Sequence, residues 1–383
     1  MTDVPARNWN YPTAIKFGVG RIDELADHAT AKGFRKPLFV TDRALAALPI
    51  ARQALDVLDR GGVPHAVFAE VDANPTDANM AAGIAAFHAG GHDSVIAFGG
   101  GSALDLGKMI ALMARQTIPV WDLEDIGDWW TRADAAAIAP VIAVPTTAGT
   151  GSEVGAAGVL TNSASHVKKI IWHPALMPKV TICDPALTVG MPRFVTAGTG
   201  MDALAHCLEA YCTPAYHPMA SGIALEGMRL VFQNLRAVYD EPGNLTARGH
   251  MMAAAAMGAV AFQNGLGAIH ALSHPVGALY DTHHGTTNGV VMPMVLDFNR
   301  AAIEDRIVRA AAYLGIDGGF AGFRAAIMDL RAAVAIPDTL SAMGVRDADL
   351  DRLTDMALED PTAAANPVPM TKANTRALYD ACM

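Results

Sequence analysis

The sequence predicts an α/β domain built on a parallel sheet, followed by an all-α domain. In the first half, short and almost wholly apolar runs alternate with helical patterns, which is typical of strands buried between layers of helices. After about residue 190, strand-like runs nearly vanish and apolar residues recur at three- and four-residue spacing. A chain of 383 residues also exceeds the size that one hydrophobic core serves. We therefore expect two domains, residues 1–190 and residues 191–383.

The elements of the first domain follow one another as strand, then helix. The predicted strands are residues 36–42, 65–71, 94–101 and 140–147. The predicted helices between them are residues 44–58, 76–89 and 102–114. This alternation implies a parallel sheet with helices on both faces. In the second half, long Ala- and Met-rich stretches such as RGHMMAAAAMGAVAFQN indicate helices packed on one another.

Composition excludes several classes of function. The net charge is −10 and no run of five basic residues occurs, which argues against binding to nucleic acid. No stretch of about 18 apolar residues predicts a membrane span, and the first residues lack the apolar core of a signal peptide. The four cysteines show no paired spacing, so we expect free thiols in a cytoplasmic protein. From the charge and the hydropathy we expect no binding to nucleic acid or to a membrane.

A glycine turn follows the third predicted strand and opens a helix. In Gly99-Gly100-Gly101-Ser102, the glycines allow a phosphate to approach the backbone, and the free N–H groups of the helix attract an anion. Ser102 is the expected N-cap. The segment is neither a P-loop nor the usual GxGxxG fingerprint, and such a turn is equally compatible with a purely structural role.

Two further segments point to a dinucleotide. Asp42 ends a predicted strand, where a dinucleotide site places an acid for the ribose hydroxyls, although a helix N-cap or a turn is an alternative role. The segment PTTAGTGSE (145–153) has small residues and hydroxyls that suit close contact with a phosphate or a nicotinamide. Together with the glycine turn, these segments predict a dinucleotide site in the first domain.

One carboxylate and several imidazoles in the second domain predict a divalent metal site. Asp202 and His206 are four residues apart on a predicted helix and share a face, and His270 and His274 repeat this spacing. His284 follows in the turn-like segment DTHHG. Each of these histidines, taken alone, is better explained as a buried, hydrogen-bonded core residue than as a metal ligand. The spacing leaves five or six candidates for four places, including the other histidine of DTHHG, and the donors suit Zn²⁺ or Fe²⁺.

Four motifs resemble, in order and separation, those of the iron-containing (group III) alcohol dehydrogenase family: GGGSALDLGK, PTTAGTGSE, GMDALAHCLEAY and HALSHPVGALYDTHHG. The resemblance covers nearly the whole chain. It implies a Rossmann-like first domain in a dehydroquinate synthase-like architecture. It further implies a metal-dependent NAD(H) alcohol dehydrogenase or aldehyde reductase that forms a homodimer or higher homo-oligomer. The expected substrate is a small alcohol, aldehyde or hydroxy acid such as 4-hydroxybutyrate.

The resemblance also implies roles for individual residues. One divalent metal ion, Fe²⁺ in preference to Zn²⁺, would be bound by Asp202, His206, His270 and His284. His274 would lie near the nicotinamide and the substrate and carry a proton. The cofactor would contact Asp42, Gly100, Gly101, Ser102, Thr146, Thr147 and Lys168. Asp42 would repel the 2′-phosphate of NADP, which favours NAD.

Two other functions are compatible with this architecture. One is a polyol oxidoreductase similar to glycerol dehydrogenases, which match the motif set less well. The other is a lyase similar to dehydroquinate synthase. That lyase would need many basic residues for a phosphorylated, carboxylated substrate, and the second half of the chain has few.

Overall fold

The structure is a computed structural model that describes residue 11, residues 13–165 and residues 167–383. Within these residues the chain forms two compact units. The first, called the α/β unit, comprises the described residues from Thr13 to Thr147 together with Gly151–Gly190. The second, called the helical unit, comprises Tyr11, Ala148–Thr150 and Met191–Met383. The α/β character therefore ends at Gly190.

The α/β unit is built on a parallel sheet. Its strands within the described residues are β1 (Ile15–Phe17), β2 (Pro37–Asp42), β3 (Ala66–Val71), β4 (Ser94–Gly99), β5 (Val141–Pro145), β6 (Ala157–Asn162), β7 (Val167–Trp172) and β8 (Val180–Cys183). Six of these form the sheet in the order β1-β8-β5-β4-β2-β3, with every neighbouring pair parallel. The remaining strands, β6 and β7, form an antiparallel pair.

The central strands are apolar because side chains on both of their faces are buried. Alternate residues of β4 enter different hydrophobic cores: Val95 and Ala97 lie in one, and Ile96 and Phe98 lie in the other. The edge strands β1 and β3 instead alternate between buried or half-buried and exposed positions. The predicted parallel α/β sheet with a following helical part is thus confirmed.

The helices of the α/β unit correct one prediction. They are α1 (Leu25–Ala31), α2 (Arg43–Ala46), α3 (Pro49–Arg60), α4 (Asp77–Ala89) and α5 (Gly101–Met113). The single helix predicted over residues 44–58 is wrong, because α2 ends before Leu48 and α3 begins at Pro49. Proline lacks a backbone N–H and is favoured in the first turn of a helix, so it starts a new helix here. Strands β1, β6, β7 and β8 were not predicted.

The helical unit surrounds one central helix. Its helices within the described residues are α6 (Arg193–Cys212), α7 (Pro218–Asp240), α8 (Leu245–Ala261), α9 (Ala268–Tyr280), α10 (His284–Leu314), α11 (Gly319–Ala333), α12 (Leu350–Glu359) and α13 (Lys372–Cys382). Helix α6 packs against α7, α8 and α10, and every residue from Thr196 to Cys212 is buried. Polar side chains on α6 therefore lie inside the unit and need polar partners there.

Within the described residues, none of the helices taken singly has the length and hydropathy of a membrane span. Two consecutive segments, Leu245–Asn264 and Ala268–Tyr280, have the length and hydropathy of a membrane span only when they are taken together, and the chain bends by 109° between them. Most of α9 from Ala268 to Gly277 is buried in the helical unit.

Candidate metal centre and cofactor site

One face of the buried helix α6 carries three polar side chains. Asp202, His206 and Glu209 lie at positions i, i+4 and i+7, which fall on the same side of an α-helix. Their exposed fractions are 2%, 5% and 6%. Small residues elsewhere on α6 let its neighbours pack closely, and this brings side chains of α9 and α10 against the polar face.

The structure gathers three imidazole nitrogens around one carboxylate oxygen. The Oδ1 atom of Asp202 lies 3.7 Å from His206 Nε2, 3.7 Å from His270 Nε2 and 3.5 Å from His284 Nε2. The ligand atoms of Asp202, His206 and His270 all lie within 4.8 Å of one another. His284 is the most exposed of the four, at 27% for its side chain, so solvent reaches the centre on that side.

The two adjacent histidines at the start of α10 differ in role. His284 is the first residue of the helix and contributes Nε2 to the group described above. His283 is the N-cap, and its Nδ1 accepts a hydrogen bond from Thr286 N at 3.3 Å. The structure thus brings His284, and not His283, to Asp202.

The donors at this centre fit a divalent cation. The Nδ1 atom of His270 lies 2.5 Å from Glu209 Oε2, so a neutral His270 keeps its proton on Nδ1 and has its lone pair on Nε2. The Nδ1 atom of His284 lies 3.3 Å from Ser273 Oγ, which leaves its Nε2 toward Asp202. When the imidazoles are neutral, their three Nε2 atoms and the carboxylate oxygen are all acceptors, and acceptors this close need a shared cation or donor. Nitrogen and oxygen ligands without thiolate suit Fe²⁺ or Zn²⁺.

One amide donor lies among these acceptors. Asn288 Nδ2 lies 2.8 Å from Asp202 Oδ1, 3.2 Å from His284 Nε2 and 3.4 Å from His270 Nε2. The Oδ1 atom of the same amide is buried without a hydrogen-bond partner among the described residues. Asn288 follows His284 by one turn of α10, so both side chains face the same centre.

Burial and neighbouring charges set the ionisation states of Asp202, His206 and His270. Burial alone would raise the pKa of Asp202, but the imidazoles of His206 and His284 and a hydrogen bond to His270 hold it well below the usual range. Burial lowers the pKa of His206 to about 4, against the attraction of Asp202. At neutral pH the carboxylate is therefore ionised and His206 is neutral, as metal ligands must be. For His270, burial would lower the pKa, but Glu209 and Asp202 raise it to about 9. Without a metal ion this ring therefore carries a proton on Nε2 at neutral pH, and a bound cation would replace that proton.

His274 lies beside this group without joining it. Its Nδ1 atom is 2.7 Å from Asp360 Oδ2, and its ring stacks on that of His284 with centroids 5.1 Å apart. Asp360 Oδ1 accepts hydrogen bonds from the backbone N–H of Thr362 at 2.9 Å and from its hydroxyl at 2.5 Å. Burial would raise the pKa of Asp360, but His274 and these bonds lower it. An ionised Asp360 thus fixes the Nδ1 side of His274.

The sequence analysis missed three of these residues. Glu209 and Asn288 carried a usable signal, since each stands at helical spacing from a predicted ligand, at His206 plus three and His284 plus four. Asp360 carried none, because it lies 86 residues from its partner His274.

The predicted cofactor residues gather mainly at one edge of the parallel sheet. Asp42 ends β2, Gly100 and Gly101 follow β4, and Thr146 and Thr147 follow β5. Because β4 lies between β2 and β5, these positions share the carboxyl edge, where open α/β sheets bind their ligands.

The loops after β4 and β5 also touch one another. The N–H of Thr146 donates to Gly99 O at 2.9 Å, and a Cβ on Gly100 would lie 3.2 Å from Thr147 Cγ2. A side chain at Gly100 would therefore require Thr147 to shift by a few tenths of an ångström.

Two expectations for this edge need correction or refinement. Ser102 is not the N-cap of α5. The N-cap is Gly100, and Ser102 lies inside the helix with its hydroxyl donating to Ala73 O at 2.5 Å. Asp42 does act as an N-cap, because its Oδ1 accepts from Leu45 N at 2.8 Å.

Lys168 lies away from the six-stranded sheet. It sits on β7, opposite Thr161 of β6, in the antiparallel pair. Thr161 in turn bridges to Thr76, at the start of α4, so the pair adjoins the loop that follows β3.

Comparison with known proteins relates both units to one family. The family model "Iron-containing alcohol dehydrogenase" matches residues 12–185, and the model "Fe-containing alcohol dehydrogenase family, C-terminal" matches residues 196–383. A 4-hydroxybutyrate dehydrogenase of Cupriavidus necator is 38% identical over 97% of this chain and 99% of the relative. A 1,3-propanediol dehydrogenase of Klebsiella pneumoniae is 35% identical over 93% of each chain. A crystal structure of 1,3-propanediol oxidoreductase superimposes with a TM-score of 0.94 and 33% identity, covering 99% of this chain and 100% of the other.

Proposed function

Because this chain belongs to the iron-containing alcohol dehydrogenase family and is an NAD-dependent oxidoreductase of alcohol groups, we propose that its divalent metal ion is held by Asp202, His206, His270 and His284. The observation that carries this proposal is the convergence of three Nε2 atoms at 3.5–3.7 Å from one buried carboxylate oxygen. Fe²⁺ is the metal proposed first, and Zn²⁺ is the alternative that the same donors accept.

The proposed chemistry divides between the metal ion and His274. When bound, the metal ion would act as a Lewis acid that polarises the substrate oxygen. Asp360 accepts a hydrogen bond from Nδ1 of His274, which leaves Nε2 of His274 to accept the hydroxyl proton of the alcohol, whose hydride would pass to NAD⁺. In the reverse direction, Nε2 would return that proton to the oxygen of the aldehyde as NADH supplies the hydride. The exposed side of His284 is the side from which a small substrate would enter.

The proposed cofactor is NAD, bound by residues of the α/β unit. The contacts would come from Asp42, Gly100, Gly101, Ser102, Thr146, Thr147 and Lys168. Support comes from the shared sheet edge of most of these residues and from the N-terminus of α5, whose N–H groups suit a pyrophosphate. The carboxylate of Asp42 would disfavour the 2′-phosphate of NADP. In this scheme residues 1–190 bind the dinucleotide and residues 191–383 bind the metal.

The proposed substrate is a small primary alcohol or its aldehyde, and 4-hydroxybutyrate is the first compound to test. It is chosen because the relative at 38% identity is a 4-hydroxybutyrate dehydrogenase, and 1,3-propanediol follows for the same reason. The relatives named above are dehydrogenases, and the lyase alternative finds no support among them. A homodimer or higher oligomer and a cytoplasmic location complete the proposal. The location suits the four cysteines, which are all buried free thiols.

The test is NADH formation with a panel of 4-hydroxybutyrate, 1,3-propanediol, ethanol and glycerol. Turnover should disappear when the protein is treated with a chelator and return on addition of Fe²⁺. His270→Ala should lose both metal and turnover, whereas His250→Ala, a change at an exposed histidine of the same unit, should keep both. Full activity of metal-free His270→Ala would refute the proposal.

A further inference from the structure

We propose that Glu209 is a positioning residue of the metal centre. Its carboxylate holds the ring of His270 with Nε2 directed at the metal, and it supplies a second negative charge for a buried dication. This inference rests on the proposed function, because it takes His270 as one of the metal ligands. Glu209 itself contacts neither substrate nor cofactor in this scheme.

Glu209 restrains both the rotation and the tautomer of His270. Its Oε2 atom lies 2.5 Å from His270 Nδ1, and its Oε1 atom accepts the N–H of Ile269 at 2.6 Å. Glu209 therefore binds the backbone of Ile269 and the ring of His270. The ring cannot rotate away without breaking a buried hydrogen bond. A carboxylate that accepts the other ring N–H of a ligating histidine fixes the ring and strengthens its lone pair.

Charge balance is the second contribution of Glu209 to the proposed centre. Asp202 and three neutral imidazoles would leave one unit of a dication's charge uncompensated inside the helical unit. Uncompensated charge is costly to bury, and Glu209 is only 6% exposed. Asp202 and Glu209 both project from α6, so one helix supplies the two negative charges that the centre needs.

Anchoring of helix α9 is the competing role for Glu209, and the chain offers a matched control for it. Asn366 accepts the N–H of Ala268 at 3.1 Å, one residue before the N–H that Glu209 accepts. Both residues therefore cap the first turn of α9, yet among the described contacts of this turn only Glu209 reaches His270. A variant of Asn366 removes a cap and leaves the imidazole contact intact.

The experiment compares Glu209→Gln with Asn366→Ala in the full-length protein. Metal is stripped with a chelator, and Co²⁺ and Zn²⁺ are titrated back against a competing chelator. A glutamine can accept only one of the two N–H bonds and must turn its NH₂ group toward the other donor. We expect Glu209→Gln to bind both metals about 10–100-fold more weakly and to alter the visible Co²⁺ spectrum. Asn366→Ala should lower thermal stability and keep wild-type metal affinity and spectrum.

Either of two results would overturn the inference: wild-type metal affinity in Glu209→Gln, or an equal loss of affinity in Asn366→Ala. If the wild-type protein binds neither metal, the proposed function itself fails, so the two failures are distinguishable. Should Glu209→Gln not fold, ¹⁵N-histidine NMR of the Zn²⁺-loaded wild-type protein decides. The ring of His270 must show a protonated Nδ1 and a metal-bound Nε2, and the reverse arrangement overturns the inference.

Discussion

Replacing Gly285 with alanine should disrupt the proposed metal centre without altering any of its proposed ligands. Gly285 lies in the first turn of α10, directly after His284. A Cβ at this position would lie 2.1 Å from Gly198 O on α6 and 2.8 Å from Asp202 Cβ. Ordinary contact begins at 3.4 Å, so α6 and α10 would have to separate by about 1.3 Å at this point. The atom in the way belongs to the backbone, so no side chain can simply rotate aside.

The expected cost follows from that displacement. Metal–ligand distances tolerate deviations of about 0.2 Å, so a separation of about 1.3 Å takes His284 out of reach of a metal held by Asp202. A misplacement of about 1 Å in an active site can lower turnover about 100-fold, which corresponds to about 2.7 kcal/mol. Overpacking should also lower the free energy of unfolding by about 1–3 kcal/mol.

Gly289→Ala is the control for this experiment. It lies one turn further along α10, where a Cβ would lie 3.2 Å from Ile336 Cγ2 and 3.3 Å from Met201 Cγ. These are side-chain atoms that need to yield only slightly, and alanine favours a helix over glycine by about 1 kcal/mol. Zn²⁺ affinity, thermal unfolding and NADH formation are measured for both variants. Wild-type metal affinity and turnover in the Gly285 variant would refute the steric argument.

Three further predictions address the proton path, the cofactor and pH. Asp360→Asn should lower kcat about 10–100-fold at unchanged metal content, because His274 loses its ionised partner; a parallel loss of metal, measured per subunit, would indicate a structural role instead. Asp42→Ser keeps an N-cap for Leu45 but removes a charge, so kcat/KM for NADP should rise about fivefold or more, since like charges near a surface repel by about 1–4 kcal/mol. An unchanged ratio of NADP to NAD use would contradict the proposed position of the ribose beside Asp42. Burial raises the pKa of Glu153 from 4.5 to about 7, so the folded state binds the proton more tightly than the unfolded state and stability falls as pH rises between these values. Glu153→Gln should remove this decline, on the order of 3 kcal/mol, in thermal unfolding measured across that range, and an identical pH dependence in both proteins would refute it.

Periodicity was sufficient for the long apolar strands and most helices, and it failed for strands that are short or mix polar with apolar residues. Strands β2, β4 and β5 are apolar runs because both of their faces are buried, and such runs are visible in the sequence. Strand β1 has three residues, and β6 and β7 mix polar with apolar positions, so none of them shows a pattern of its own. Pro49 marks the break between α2 and α3 in the sequence. A residue without a backbone N–H fits the first turn of a helix but interrupts the interior of one.

For the candidate site, the sequence by itself determined the residue types and their spacing along single helices. Asp202, His206 and Glu209 share a face of α6 because 3.6 residues make one turn, whatever surrounds that helix. Tertiary structure alone decided which residues of other helices meet that face. Glu209 reaches His270 across 61 residues, and Asp360 reaches His274 across 86. These pairs depend on how α9, α10 and the segment around Asp360 pack together, and packing leaves no period in the sequence for a local pattern to reveal.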